Sequence, residues 1–214
     1  MKAYQLKITL MDVEPSVWRR VIIPAGTNFK RLHDTIQFSM GWDDTHMFEF
    51  DFVEEKLKVT ADESLFEESK YIKEKYKDSK PSKEKDPYGA ISRMISTNIR
   101  RAQSAKIDSP LEKHQKFTYI YDIGDNWQHE IMVEKTIEDY PYGHPTLLDG
   151  EGACPPDDVG GPGGYTAFLE AWSDPHHPEH EDMRIWGESQ YYKDLDIKRT
   201  NEIMENVLKL KKVK

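Results

Sequence analysis

The sequence predicts an α+β fold, namely a mostly antiparallel sheet with a β-grasp-like or roll-like start in which a hairpin is followed by a helix and a strand. Alternating polar and apolar residues occur in short, paired stretches, which is typical of neighbouring antiparallel strands. Helical patterns do not alternate with the strands one by one, as they would in a parallel βαβ sheet. We expect a single domain over residues 1–214, with a charged helical insertion at 62–105 and helices at its C-terminal end.

The first hairpin is predicted from residues 4–10 and 17–23. In the first stretch apolar residues alternate with polar ones, so one face of that strand is expected to be buried. A turn around Pro15 separates the two stretches, and Pro24 with Gly26 ends the second. Two strands this close in sequence most simply pair as an antiparallel hairpin.

The first helix is expected directly after this hairpin. Thr27 or Asn28 is suited to accept hydrogen bonds from the free amides of the first turn, and Gly41 suits the C-terminal cap. Residues 46–52 alternate again and predict a strand, with a short partner at 56–60. The helical period is carried by Phe29, Leu32, Ile36 and Met40. One face of the following strand consists of His46, Phe48, Phe50 and Phe52.

The remaining elements follow from local patterns. Alternating charge at residues 68–86 is typical of a solvated helix face, and residues 90–105 are interpreted as a second helix of the insertion. A second hairpin is predicted from residues 117–123 and 127–135 around a turn of Gly, Asp and Asn. Three helices are then expected: at 165–172, from Pro178 onwards, and at 198–212 with Ile203, Val207 and Leu210 on its apolar side.

Composition limits the functional classes. The net charge of −9 disfavours non-specific nucleic-acid binding through the whole surface, although a local basic patch stays open. A single cysteine excludes an intramolecular disulfide and fits a reducing compartment. The N-terminal stretch lacks the apolar run of a signal peptide, and apolar stretches elsewhere are short. We therefore expect a cytoplasmic protein with no membrane partner.

The segment GEGACPPDDVGGPGGY, residues 150–165, holds six of the twelve glycines and the cysteine. Glycine allows positive φ and close backbone approach, and the prolines stiffen the path between these positions. A shaped loop is indicated, and both a structural and a ligand- or metal-contacting role stay open. The phosphate-loop patterns are missing from it. Cys154 is interpreted as a small packed thiol, with a nucleophile as the alternative.

A family resemblance rests on long motifs in a fixed order. These are WRR at 18–20, FKRLHDTIQFSMGW at 29–42, HMFEF at 46–50, YDIGDNWQHEIMVEK at 121–135, ACPPDDVGGPGGYTAFLEAW at 153–172 and DPHHPEHEDMRIW at 174–186. Together they resemble the plasmid pRi ORF-three-like family. The resemblance implies an α+β, largely uncharacterised protein of the kind found as a passenger of mobile elements. The charged segment 62–105 and the C-terminal stretch depart from the family pattern.

Acidic and histidine side chains beside the glycine segment predict a candidate divalent-metal site. Carboxylates and imidazoles are common ligands of divalent ions, and the second hairpin is expected to face the glycine segment. The alternative is structural: turn-forming aspartates, a satisfied core histidine and an ordinary helix start. The candidate metal ligands are Asp122, His129, Asp157, Asp158, His176 and His180.

A partner-binding groove is predicted between the glycine segment and the aromatic second hairpin. Aromatic residues dominate interface energetics, and arginines beside them suit nucleic acid. The candidate groove residues are Trp18, Arg19, Arg20, Tyr121, Trp127, Gly160, Gly161 and Tyr165, with Tyr119 and Trp172 as further anchors. The conceivable basic strip consists of Arg19, Arg20, Lys30, Arg31, Arg93, Arg100 and Arg101.

Three functions are compatible with these features. The preferred one is a non-enzymatic interaction module for a protein partner, without an assigned cofactor. The second is a metal-dependent hydrolase or nuclease that uses the Asp/His cluster. The third is a nucleic-acid-binding accessory protein that uses the local basic patch.

Overall fold

A computed structural model describes residues 1–209, which form one eight-stranded sheet with helices mainly against one face. The strands are β1 (Ala3–Leu10), β2 (Trp18–Pro24), β3 (Phe48–Phe52), β4 (Leu57–Thr60), β5 (Asn98–Arg101), β6 (Lys116–Tyr121), β7 (Trp127–Ile137) and β8 (Thr146–Glu151). The α-helices are α1 (Phe29–Met40), α2 (Glu63–Lys75), α3 (Ala90–Ser96), α4 (Asp108–Lys113), α5 (Gly161–Ser173), α6 (His180–Ser189) and α7 (Ile197–Val207). A short 3₁₀ helix, Val53–Glu55, joins β3 to β4.

The strand order across the sheet is β5-β4-β3-β6-β7-β1-β2-β8. Neighbouring strands are antiparallel except β4 and β5, which are parallel. The predicted α+β class and both predicted hairpins are therefore confirmed. The chain does begin with a hairpin, a helix and a strand, but β3 pairs with β4 and β6, so two strands separate it from β1. The similarity to a β-grasp is limited to the order of these elements.

Helix α1 packs on the buried face of the sheet, as its apolar period predicts. Asn28 caps it by accepting a hydrogen bond from the backbone N–H of Arg31, and Gly41 ends it at φ 109°. Its apolar stripe is at most 4% exposed and meets the inward side chains of β1 and β3. The core therefore lies between α1 and the centre of the sheet. The stripe consists of Phe29, Leu32, Ile36 and Met40.

The opposite face of the sheet is polar and carries ion pairs between neighbouring strands. The guanidinium of Arg20 on β2 lies 2.9 Å from the carboxylate of Glu134 on β7. The amide of Gln5 on β1 donates to the same carboxylate at 2.6 Å. Antiparallel sheets commonly have one packed and one solvated face, which explains the alternation along these strands.

Two sequence interpretations need correction. Residues 90–105 were expected to form one helix, but α3 ends at Ser96 and residues 98–101 form β5. The backbone N–H groups of Asn98 and Ala102 bond to carbonyls at the two ends of β4, and Ala102 is fully buried. Non-local pairing thus overrides the helical pattern. The edge strand β8 was not predicted at all.

The C-terminal helix α7 ends at Val207, whereas the sequence pattern extends it to residue 212. Leu210, which was assigned to its apolar side, lies outside the described residues. Within residues 1–209, every helix is too short or too polar to cross a membrane.

Helix α7 closes one edge of the sheet through a single side chain. The backbone N–H of Leu147 on β8 donates to Oδ1 of Asn201 at 2.8 Å, and Nδ2 of Asn201 donates to the carbonyl of Leu147 at 2.8 Å. The amide of Asn201 therefore provides the pair of bonds that another strand would provide. An edge covered in this way is protected from pairing with other chains.

We predict that Asn201→Ala lowers the free energy of unfolding by about 1–3 kcal/mol, because it leaves a backbone donor and acceptor without partners. Chemical denaturation measures this change. The matched control is Asn206→Ala on the exposed side of the same helix, expected to change the free energy by less than about 0.5 kcal/mol. Equal losses in the two variants would contradict the proposed role of Asn201.

Candidate functional site

The candidate site is built around the loop at residues 41–47, which a buried hydrogen-bond network fixes to α1 and β6. His33 on α1 is fully buried; its Nδ1 lies 2.8 Å from the hydroxyl of Tyr119 and its Nε2 2.5 Å from Asp44. Gln37 donates to the same hydroxyl and accepts from the backbone N–H of Asp44. The network therefore closes on itself across helix, strand and loop.

The network also sets the protonation state of His33. Because Gln37 donates to the hydroxyl of Tyr119, that hydroxyl donates to Nδ1, and Nε2–H then donates to Asp44. Burial lowers the pKa of His33 to about 4 even though Asp44 raises it. The imidazole is thus neutral at pH 7, and Lys30 supplies the positive charge that pairs with Asp44 at 2.7 Å.

The 41–47 loop is attached to the Pro-rich half of the glycine segment. The indole Nε1 of Trp42 donates to the carbonyl of Pro155 at 3.0 Å. The backbone N–H of Asp43 donates to Asp157 at 3.2 Å. The ring of Trp42 also packs on Tyr121 of the second hairpin, with 4.8 Å between ring centroids. The glycine segment therefore folds back against the second hairpin, as the sequence predicts.

Glycine is required where this segment turns into α5 against the tip of the second hairpin. Gly161 has φ 70°, and a Cβ there would lie 2.9 Å from the carbonyl oxygen of Asp125. A Cβ on Gly164 would lie 1.9 Å from the carbonyl oxygen of Val159. The helix was expected to begin at Tyr165 but begins at Gly161, because the glycines form its first turn rather than a preceding loop.

The tip of the second hairpin completes the site. The backbone N–H of Asp122 donates to the carbonyl of Met47, and Oδ1 of Asp122 accepts from the backbone N–H of Gly124. Oδ2 of Asp125 accepts from the backbone N–H of Gly160 at 3.2 Å. Asp122 therefore uses one carboxylate oxygen in the turn, and its other oxygen faces the 41–47 loop.

These loops bring His46, Asp122 and Asp158 together. Nδ1 of His46 lies 3.5 Å from Oδ2 of Asp122, and Nε2 lies 3.5 Å from Oδ1 of Asp158. One ligand atom from each residue lies within 4.8 Å of the others. The Nε2 atom of His46 has no accessible surface and no hydrogen-bond partner within the described chain. We refer to these three residues as the His46 cluster.

Of the predicted metal ligands, Asp122 and Asp158 belong to this cluster and Asp157 lies beside it. The carboxyl of Asp157 is half-buried, and burial raises its pKa although the nearby imidazole of His46 lowers it. His46 itself was missed, because its alternation with Phe48 indicated a core position. Its place two residues before β3, at the end of a loop, was the available signal.

The three remaining predicted ligands lie elsewhere, which corrects their assignment. His129 is fully buried on the inner face of β7, edge-on to Trp42, and burial lowers its pKa to about 3. His176 is exposed, and its backbone N–H bonds to Asp174. Nδ1 of His180 lies 2.8 Å from the carbonyl of Ala171. None of the three belongs to a cluster with metal-ligand spacing in the described part of the chain.

A second group with metal-ligand spacing, His33, Asp34 and Asp44, already holds a cation. The ammonium of Lys30 lies 2.6 Å from Asp34 and 2.7 Å from Asp44, and both ring nitrogens of His33 are hydrogen-bonded. The His46 cluster is therefore the better candidate for a metal ion.

The predicted aromatic anchors are core residues. Tyr121, Trp127 and Tyr165 are at most 1% exposed, as is Tyr119, so a partner cannot contact them in this fold. The hydroxyl of Tyr165 donates to the carbonyl of Ala153. The burial of Tyr119, Tyr121 and Trp127 follows from the alternation along β6 and β7, whose inner faces are covered, and Tyr165 is buried on α5. Only Trp172 of this set is partly exposed, and it stacks on the guanidinium of Arg184.

The remaining groove residues lie at one end of the sheet. The indole of Trp18 donates to Glu151, and Gly160 and Gly161 contact Asp125. Four of the seven residues of the predicted basic strip are buried or paired with carboxylates, whereas Arg31, Arg93 and Arg100 have no ion pair among residues 1–209. Arg19 is 1% exposed and Arg20 pairs with Glu134. Lys30 pairs with Asp34 and Asp44, and Arg101 pairs with Glu63 and Glu67.

Cys154 packs against the core, and burial raises the pKa of its thiol. The thiolate form that a nucleophile needs is therefore disfavoured. The interpretation of this cysteine as a packed thiol agrees with its surroundings.

The two buried histidines predict a specific acid sensitivity. The pKa of His129 is about 3 when folded and that of His33 is about 4, below the value near 6.5 of an exposed imidazole. Between these values the unfolded chain binds more protons, so stability falls as pH drops from about 6.5 towards about 4. We expect His129→Phe and His129→Gln to weaken this dependence, as measured by denaturation at a series of pH values.

The control for this experiment is His176→Ala, which removes an exposed imidazole and is expected to leave the pH dependence unchanged. If both His129 variants keep the slope of the unmodified protein between pH 6.5 and pH 5, the buried neutral state of His129 is contradicted.

Comparison with known proteins identifies relatives over nearly the whole described chain. A family model described as plasmid pRiA4b ORF-3-like protein matches residues 2–200. The uncharacterized protein y4hQ of Sinorhizobium fredii (strain NBRC 101917 / NGR234) is 35% identical over 188 residues, covering 87% of this chain and 82% of the relative.

A crystal structure of a protein of unknown function, MM3350 from Methanosarcina mazei Go1, has a similar fold. Its TM-score is 0.70 at 28% identity, and the match covers 92% of this chain and 97% of that one. The sequence motifs, the extent of the family match and the shared fold agree. The chain belongs to the plasmid pRiA4b ORF-3-like family.

Proposed function

We propose that the protein is a binding module that holds one divalent metal ion in the His46 cluster and binds a ligand through oxygen atoms at the ion. The observation that carries this proposal is the imidazole of His46, which lies between two carboxylates and whose buried Nε2 has no hydrogen-bond partner among residues 1–209. The nitrogen–oxygen distances of 3.5 Å are longer than an N–H···O hydrogen bond. Small movements of three side chains would let an ion bond all of them.

The charge and exposure of the cluster support an ion of this kind. The two carboxylates of the cluster supply two negative charges, which a divalent cation neutralises. The side chain of Asp122 is 13% exposed and that of Asp158 is 79% exposed, so one side of the cluster is fixed and the other is open to solvent. Three protein ligands leave at least one coordination position for a ligand.

The ligand types favour zinc or manganese. Imidazole suits zinc and other late transition metals, whereas carboxylates also bind manganese and magnesium. We expect affinity to decrease from Zn²⁺ to Mn²⁺ to Mg²⁺. A carboxylate or a phosphate group of the ligand would complete the coordination, and an oligonucleotide backbone is one source of such a phosphate.

The prediction for metal binding is one Zn²⁺ per chain after removal and replacement of metal, measured by isothermal titration and elemental analysis. His46→Ala and Asp158→Asn are expected to weaken this binding strongly, since the first removes a ligand and the second replaces a charged carboxylate with a neutral amide. His176→Ala is the matched control, because it removes an exposed imidazole outside the cluster. Stoichiometric binding that survives His46→Ala, or no binding by the unmodified protein, would reject the proposal.

Metal-dependent hydrolysis is the second candidate, and the position of Asp157 favours it. This carboxyl lies beside the cluster, and burial raises its pKa, which makes it a better proton acceptor than an exposed aspartate. In hydrolysis of a phosphate ester, water would form the new bond to phosphorus, the ester oxygen would leave, and Asp157 would take up the proton from water.

The two candidates differ in one variant. If the protein is a hydrolase, the zinc- or manganese-loaded form cleaves bis(4-nitrophenyl) phosphate, and Asp157→Asn removes this activity while metal binding stays. If it is a binding module only, the loaded protein shows no turnover above that of the Asp158→Asn variant. Release of 4-nitrophenolate, followed by absorbance, decides between them.

A further inference from the structure

We infer that a second site, separate from the His46 cluster, is a docking groove for a basic segment of a partner protein. The groove has a volume of about 350 Å³ and lies between the end of α1, residues 154–157 and the connection between α6 and α7 at residues 190–196. Its volume is in the range of ligand sites that take up one or a few side chains. We refer to it as the α1–α7 groove.

The walls of the α1–α7 groove combine apolar side chains with fixed backbone. Met40 of α1, Leu195 of the connection and Ile203 of α7 supply hydrocarbon surface, and Cys154 also lines the groove. Such surface suits the methylene stem of a lysine or arginine, whose charged end stays near the solvent.

Buried Arg19 fixes this wall rather than binding a ligand. Its guanidinium donates to four backbone carbonyls, so α1, β2 and the start of the glycine segment are held together. With four of its five N–H groups engaged in this way and 1% of its surface exposed, Arg19 has little capacity left to bind a ligand. The acceptors are the carbonyl groups of Trp18, Ser39, Glu151 and Gly152.

The charges around the opening favour a cationic occupant. Four carboxylates line the groove against two exposed basic side chains. The exposed carboxylates of Asp43 and Asp194 have neither a hydrogen bond nor an ion pair among residues 1–209, and Oδ2 of Asp157 accepts a hydrogen bond from the backbone N–H of Asp43. A cation at the opening would pair with the two open carboxylates. The charged lining residues are Asp43, Asp157, Asp194, Asp196, Lys193 and Arg199 at the opening, and buried Arg19 in the wall.

An exposed aromatic ring marks the same opening. Tyr191 is 81% exposed and has φ 55°, which is an uncommon backbone conformation for a residue other than glycine. The neighbouring Tyr192 is fixed: its backbone N–H bonds to Gly187 and its ring packs against Phe168 and Trp172. Tyr192 thus anchors the connection, and the exposed ring of Tyr191 lies at the groove. This ring is suited to contact a cation or a methylene stem.

Charge complementarity decides the class of partner. The protein carries a net charge of −9, which attracts a basic chain over long distances. The open carboxylates of the groove would then bind the basic side chains at one place. Apolar walls beneath the carboxylates favour a segment in which lysine or arginine residues alternate with apolar ones. A nucleic acid would be repelled by the same carboxylates.

The test uses a fluorescein-labelled peptide of alternating lysine and leucine, with a glutamate–leucine peptide as the reference, in EDTA so that metal binding plays no part. We expect the lysine peptide to bind and the reference peptide not to bind, by fluorescence anisotropy. The double variant Asp43→Lys/Asp194→Lys should weaken binding about tenfold or more, because both open carboxylates are reversed. Tyr191→Ala should weaken it as well.

The matched control is Glu68→Lys/Glu84→Lys, which makes the same change in net charge on exposed positions of the 62–105 segment. Retained circular dichroism and thermal unfolding show that each variant is folded. Equal weakening by the control, equal binding of both peptides, or stronger binding of a single-stranded oligonucleotide would each overturn the inference. Failure of metal binding would not affect this result, so the two proposals are tested independently.

Discussion

The interaction on which both sites depend is the buried hydrogen-bond network around His33. A fully buried imidazole bonds to Tyr119 in the core and to Asp44 in a surface loop, and Gln37 closes the network. Buried polar groups are costly unless they are all satisfied, so the loop cannot move away without leaving unpaired groups in the core. The network therefore fixes the backbone that carries Trp42, Asp43 and His46 to the rigid centre of the sheet.

The glycine segment forms the second wall of the two candidate sites, and two of its glycines are explained by the backbone groups that they contact. Residues 155–157 bond to the 41–47 loop, and a few residues later Gly161 contacts the tip of the second hairpin. A side chain at Gly161 or Gly164 would overlap a backbone carbonyl, so the chain can begin α5 there only with glycine. Gly161 is thus required where the segment contacts the hairpin tip and Gly164 where it turns into α5, and the candidate sites are formed where these loops meet.

Local patterns predicted the parts of the fold that depend on local chemistry. Asn28 and Gly41 bound α1 as their capping preferences indicate, and the alternation of Phe48, Phe50 and Phe52 identified the buried face of β3. β5 could not be predicted from its own four residues, because it exists only through parallel pairing with β4. The candidate site was predicted only in part, because it also depends on contacts between distant parts of the chain. Asp122 and Asp158 were predicted as ligands, but His46, which comes from a third loop, was not. For His129, the alternation predicted on which face of the strand the side chain lies. It did not predict that other residues cover this face.

The adjacent residues Asp157 and Asp158 connect the two proposed sites. Asp158 has φ 60°, and this turn directs its carboxylate to His46 while the carboxylate of Asp157 accepts a bond from Asp43 and lines the α1–α7 groove. An ion at Asp158 and a cation at Asp157 would therefore act on the same peptide unit. If ordering that unit is part of the cost of either binding event, the first ligand removes part of the cost for the second, whereas the two positive charges repel each other. Because linkage is reciprocal, each ligand must then change the affinity of the other by the same factor.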